Sequence, residues 1–134
     1  MGKSVYGMAA RVYVCDQNPR MRQLLRERLR GHADIVGEGG TADEAVSAAA
    51  EIEPDLVVLD YRTAVGNIGG SVDAIKESCP SAAVVIHTGV PRYLIQEQVE
   101  QAGGIYSPKN EPEHLIALVG TLQPRAREAA SRDS

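Results

Sequence analysis

The sequence predicts a single α/β domain built on an open parallel sheet with helices on both faces. Five short apolar runs alternate with five stretches of helical periodicity, the pattern of repeated strand–helix units. The central runs are apolar throughout, as strands covered on both faces must be. At 134 residues the chain has the length of one domain, roughly 100–150 residues. Its 43% hydrophobic and 24% charged residues suit one solvated body around one core.

The first strand, β1, is the run Val12 to Cys15, which leads into Asp16. Asn18 and Pro19 then supply a cap and a first-turn proline, and Met21, Leu24, Leu25 and Leu29 fall at helical spacing up to Gly31. Ile35 to Gly37 is a short β2. Thr41 and Glu44 make a capping box that opens an alanine-rich helix through Ile52. After Pro54-Asp55 the run Leu56 to Asp60 is β3, the clearest strand in the chain. Residues 61–70, with three glycines, read as a loop, and glycine's freedom should make its part from Val65 to Gly70 more mobile. Ser71 to Glu77 is a short helix stopped before Pro80, and Ala83 to Thr88 is β4. A fourth helix over 91–102 ends at Gly103-Gly104, Ile105 to Ser107 is β5, and a fifth helix spans 112–122.

Right-handed crossovers leave few ways to connect five such units. The flavodoxin-like (βα)5 arrangement, a doubly wound sheet of strand order 2-1-3-4-5, suits the count. Residues 1–10 read as an N-terminal extension, 11–122 as the domain and 123–134 as a polar tail expected to fray.

Composition narrows the function. With 14 basic and 18 acidic residues the net charge is −4, which argues against nucleic acid as the main partner. No apolar run approaches the ~20 residues that span a bilayer. The first residues lack a secretion-type apolar stretch, and Tyr6 breaks the myristoylation pattern. Cys15 and Cys79 are too few for a disulfide framework and are expected to be free, buried thiols. These features point to a cytoplasmic protein with no membrane partner.

Ligands of such sheets bind beyond the carboxyl ends of the strands, at the switch between β1 and β3. There the sequence places Asp16 after β1, Asp60 at the end of β3, Thr88 at the end of β4 and Lys109 after β5. Two carboxylates, a hydroxyl and an ammonium suit phosphoryl transfer to a carboxylate, which needs positioning and charge neutralisation. In isolation, Lys109 could instead be no more than a structural ion-pair partner of Asp60.

Over residues 11–122 the chain resembles the receiver domain of two-component response regulators, in stand-alone form. The resemblance rests on Asp60 in PDLVVLDYR, Thr88-Gly89, Lys109 in GGIYSPKNEPEHL, and Tyr106 three residues before that lysine. It implies that Asp60 is the phosphoacceptor, that Lys109 and Thr88 complete the catalytic group, and that Thr88 and Tyr106 are switch residues, Tyr106 turning inward. It also implies Mg²⁺ held by Asp16, Gln17, Asp60 and the backbone carbonyl of Arg62. Implied partners are a sensor histidine kinase or phosphotransfer protein and a downstream protein. A homodimer through the fourth helix, β5 and the fifth helix is also implied, with Tyr93 on that face, and no direct DNA-binding domain is expected.

Three positions depart from the pattern. The second acid of the usual pair is Gln17, a neutral oxygen donor, so Mg²⁺ affinity should be weakened. Thr63-Ala64 replaces Met-Pro, and Asn110 replaces the proline after the lysine, so the usual cis peptide there is not expected. These departures support an alternative, a non-phosphorylated pseudo-receiver that serves as a protein-interaction module. Either way the domain is a phosphoacceptor or binding module rather than an enzyme with a substrate of its own. A dehalogenase-type phosphatase would need an acid where Arg62 stands, and a flavodoxin a phosphate loop where DQNPR stands. His87 reads as a packed, hydrogen-bonded strand residue, and His32 and His114 as exposed. The arginines of the first helix read as a solvated basic face.

Overall fold

The structure, a computed structural model, describes residues 9–64 and 66–122; most of the expected extension and the whole expected tail lie outside the described residues. The strands β1 (Arg11–Cys15), β2 (Asp34–Gly39), β3 (Leu56–Asp60), β4 (Ala83–Thr88) and β5 (Ile105–Pro108) form one parallel sheet. Their order is β2-β1-β3-β4-β5, the flavodoxin-like arrangement expected from the sequence. The described helices are α1 (Pro19–Leu29), α2 (Ala42–Ile52), α3 (Tyr61–Ala64), α4 (Ile68–Ser78), α5 (Arg92–Gln101) and α6 (Pro112–Thr121).

Side chains alternate across the sheet and so build two cores. On one side Val12, Val14, Leu56, Val58 and Val85 meet Leu25 and Leu29 of α1 with Leu115 and Val119 of α6. On the other, Val57, Leu59, Val84 and Ile86 meet α2 through Ala45 and Ala49, α4 through Val72 and Ile75, and α5 through Ile95 and Val99. The alanines of α2 let that helix lie close to the sheet. Its predicted capping box is present: Glu44 N–H donates to Thr41 Oγ1 at 3.1 Å, and Glu44 Oε1 accepts from Thr41 N–H at 3.3 Å. Asn18 caps α1 by accepting from Arg20 N–H at 2.9 Å.

The segment read as a loop is largely helical. Tyr61 to Ala64 form one turn directly after β3, and α4 begins at Ile68 rather than at Ser71. Asn67 starts it, its Oδ1 accepting from Gly70 N–H at 3.2 Å. Ile68, Val72 and Ile75, at i, i+4 and i+7, are all buried, and this stripe outweighs the poor helix propensity of Gly69 and Gly70. Among the described residues every peptide bond is trans.

β2 carries glycines for a steric reason. A Cβ on Gly37 would meet the Tyr13 ring at 3.0 Å, and one on Gly39 would collide with Tyr13 Oη. Tyr13 is only 4% exposed, so its ring would have to shift within the packed core. Gly39→Ala is therefore expected to cost about 1–3 kcal/mol as an overpacking change, read from urea unfolding. Gly69→Ala, where a Cβ meets nothing within 4 Å, serves as the control.

Candidate functional site

β1 and β3 run in register, Cys15 beside Leu59, so Asp16 and Asp60 emerge together at the carboxyl edge of the sheet. Lys109 comes from the far end of β5. Its backbone N–H donates to Thr88 O at 2.7 Å, which fastens the end of β5 to the end of β4 and swings the lysine back over the edge. Lys109 Nζ donates to Asp60 Oδ1 at 2.6 Å and to Asp16 Oδ2 at 3.4 Å. Both carboxylates are 4% exposed, whereas the lysine side chain is 21% exposed. Two buried negative charges thus share one cation, and the group carries one negative charge over.

Each acid is held by its own backbone surroundings. Asp16 Oδ1 accepts from Asn18 N–H at 2.9 Å, Asp16 N–H donates to Gly39 O at 3.0 Å, and Arg22 Nη1 donates to Asp16 O at 2.6 Å. Thr63 Oγ1 donates to Asp60 O at 2.6 Å, which ties α3 to the strand end. Two hollows flank the acids. One, about 230 Å³, is bounded by Asp16, Gln17, Asp60, Arg62 and Lys109. The other, about 260 Å³, lies between Asp60, Arg62, Thr88, Gly89 and Lys109. Gly89 lines the second hollow, and a Cβ there would meet nothing within 4 Å. Thr88 is buried, its Oγ1 accepting from Val90 N–H at 3.0 Å.

Tyr106 lies inside already. It is 4% exposed, its hydroxyl donates to Val90 O at 2.6 Å, and the Arg92 guanidinium sits 5.0 Å from the ring centroid. Arg92 is in turn 3.6 Å from Glu111. An inward turn is therefore not a movement that starts from this state.

His87 is 1% exposed, but its Nδ1 has no hydrogen-bond partner, contrary to the expectation of a satisfied strand histidine. It lies on the α1/α6 side, two residues beyond Val85. Burial, and then the nearby Lys109 ammonium, lower its pKa to about 4, so it is neutral at pH 7. His114 is half-buried rather than exposed, because its Nδ1 meets Ser107 Oγ at 3.0 Å. His32 is exposed as expected. Both cysteines are free and buried; burial pushes the Cys15 thiol up to about 12, which leaves it inert near the site.

Comparison with known proteins sets this edge in a family context. No family model matches the chain. Chemotaxis protein CheY of Halobacterium salinarum is 29% identical over 118 residues, which are 86% of this chain and 98% of that protein. The chain is similar in sequence to CheY proteins and in fold to response-regulator receiver domains. Among solved receivers, a LuxR-family response regulator from Aurantimonas sp. superposes with a TM-score of 0.74 at 23% identity, covering 92% of this chain and 94% of that one. The response-regulator domain of Thermotoga maritima CheB gives 0.72 at 19% identity, covering 87% and 99%.

Receiver domains bind Mg²⁺, and the first hollow fits such an ion chemically. The residual negative charge of the Asp16–Asp60–Lys109 group favours a cation, and the surrounding donors are hard oxygens, which Mg²⁺ prefers. Among the described residues no three His, Cys, Asp or Glu side chains gather as a metal cluster, so neutral oxygens would have to complete a ligand set here. Sequence reading gave no role at the site to two residues that shape this edge, Thr63 and Arg22. Thr63 was hidden in an apparent loop. Arg22 was one of five arginines in and beside α1, yet its side chain is only 22% exposed and is bound to Glu38 and Asp16. No helix among the described residues is long and apolar enough to cross a membrane.

Proposed function

We propose that this receiver accepts a phosphoryl group on Asp60 from the phosphohistidine of a sensor kinase or phosphotransfer protein. An Asp60 carboxylate oxygen attacks phosphorus, the P–O bond forms as the P–N bond to histidine breaks, and the nitrogen keeps the electron pair. Lys109, 2.6 Å from Asp60, neutralises charge on the transferred group and is the observation that carries the reading. Thr88 and Gly89 line the hollow that would receive the phosphoryl oxygens. Mg²⁺ held by Asp16, Asp60, the Gln17 side-chain oxygen and the Arg62 carbonyl would offset the charge of those oxygens, with affinity weakened by the neutral Gln17. The domain acts as a cytoplasmic signalling module with at most autocatalytic phosphoryl chemistry. Its output is protein contact across the α5–β5–α6 face, including pairing of two copies, where Tyr93 is 85% and Leu94 60% exposed.

Intact-mass measurement after incubation with millimolar Mg²⁺ and a small phosphodonor tests this. One added phosphoryl group, absent in Asp60→Asn, is the expected result. The buried, clamped Tyr106 favours a second reading, a pseudo-receiver whose output face is set without phosphorylation. No mass gain, with partner binding intact in Asp60→Asn, would select it.

A further inference from the structure

Arg22 is more than one of the charges of α1. Its guanidinium spans two partners at once: Nη1 donates to the backbone oxygen of Asp16 and Nε to Glu38 Oε1, each at 2.6 Å. Glu38 is anchored from its other oxygen by Arg26 Nε at 2.7 Å. Hydrogen bonds from Arg26 and Arg22 hold the Glu38 carboxyl below its usual range, so the strut stays ionised. The oxygen that Arg22 grips belongs to the peptide joining Asp16 to Gln17. Fixing that peptide plane fixes the direction from which Gln17 leaves the strand, on the rim of the hollow that Asp16 and Asp60 share. Gly40 lies against the same spot: a Cβ there would be 3.7 Å from Arg22 Nη1 and 3.8 Å from Asp16 O. The acid loop thus lies between α1 and the end of β2, tied to each by a hydrogen bond, from Arg22 Nη1 to Asp16 O and from Asp16 N–H to Gly39 O.

We infer that Arg22, braced by Glu38, is a positioning residue that sets the Asp16–Gln17 loop for a divalent cation. The inference rests on the reading of the first hollow as the Mg²⁺ site and goes beyond it by assigning the site's outer support. Preorganisation counts for more here than in a site with two acids, because a neutral amide oxygen offers a cation less attraction to offset the entropy of ordering the loop.

Two effects of Arg22 have opposite signs, which makes the inference testable. As a bare positive charge beside the hollow it would repel Mg²⁺, and its removal would tighten binding. As a brace, its removal loosens the ligands and weakens binding, typically by ten-fold or more for outer-shell partners. The experiment is a titration of the whole chain with MgCl₂ followed by tyrosine fluorescence, the chain having no tryptophan, with circular dichroism to confirm folding. Arg22→Ala is expected to raise the Mg²⁺ midpoint about ten-fold. Arg22→Lys, which keeps the charge but cannot span both partners, is expected to raise it by a smaller factor. An unchanged midpoint in Arg22→Lys, or a lower one in Arg22→Ala, overturns the inference and leaves the metal site standing. Absence of saturable Mg²⁺ binding in the unaltered protein overturns the metal site itself, and the brace with it.

Discussion

Replacing Lys109 by methionine is expected to lower the unfolding free energy at pH 7 by about 3 kcal/mol, the lower end of the cost of breaking a buried ion pair. Asp16 and Asp60 are almost wholly buried and face each other through this single ammonium. Methionine keeps most of the stem and its packing, so the loss reports charge. The lysine's 21% exposure keeps the effect from the top of the range. A second variant separates charge from packing: Asp60→Asn should recover much of the stability lost in Lys109→Met, since one carboxylate needs no cation wedged beside it. Millimolar Mg²⁺ should raise the urea midpoint of Lys109→Met more than that of the unaltered protein, the divalent ion taking over from the ammonium. Equal midpoints for Lys109→Met and the unaltered protein without Mg²⁺ would mean that water already screens the pair.

The second large effect concerns acid. His87 ionises near pH 4 in the fold, because burial and then Lys109 oppose its charge, and near 6.5 once unfolded. Between those values the unfolded chain binds the extra proton, so stability rises with pH across that window. The contribution is complete above pH 6.5 and is lost progressively as the pH falls toward 4, by about 3 kcal/mol in all. His87→Leu removes the titrating ring and the unpartnered Nδ1 together. Relative to the unaltered protein, the variant should therefore gain stability steadily from pH 6.5 down to 4. Parallel stability curves for the two proteins over that range would refute neutral burial of the ring.

How far the sequence could be read varied from element to element for physical reasons. The central strands β1, β3 and β4 followed from their apolar runs, because a strand buried on both faces has few polar positions to confuse the pattern, and the strand order followed from the crossover rules. Asn18-Pro19 and the Thr41/Glu44 box fixed two helix starts, since capping is local chemistry. The start of α4 was missed because Gly69 and Gly70 hid the stripe of Ile68, Val72 and Ile75; local propensity pointed one way and burial decided the other. The meeting of Asp16, Asp60 and Lys109 was readable from the strand-end rule. Arg22 was not, for its partner Glu38 lies 16 residues away and only the fold brings the two together. His114 escaped for the same reason, its partner Ser107 standing in a different element.

The strand β2 closes one side of the sheet, and its construction bears on how copies of the molecule meet. Its pairing with β1 slips by one residue between Val12 and Tyr13, and it exposes Asp34 and Glu38 along a strand otherwise thinned by glycine. A kinked border is a poor template for a strand from another molecule, and the exposed Asp34 adds a charge to it, whereas Glu38 is already paired with Arg22 and Arg26. Concentrated solutions of the protein should resist sheet-extending aggregation, and any self-association is left to the helices.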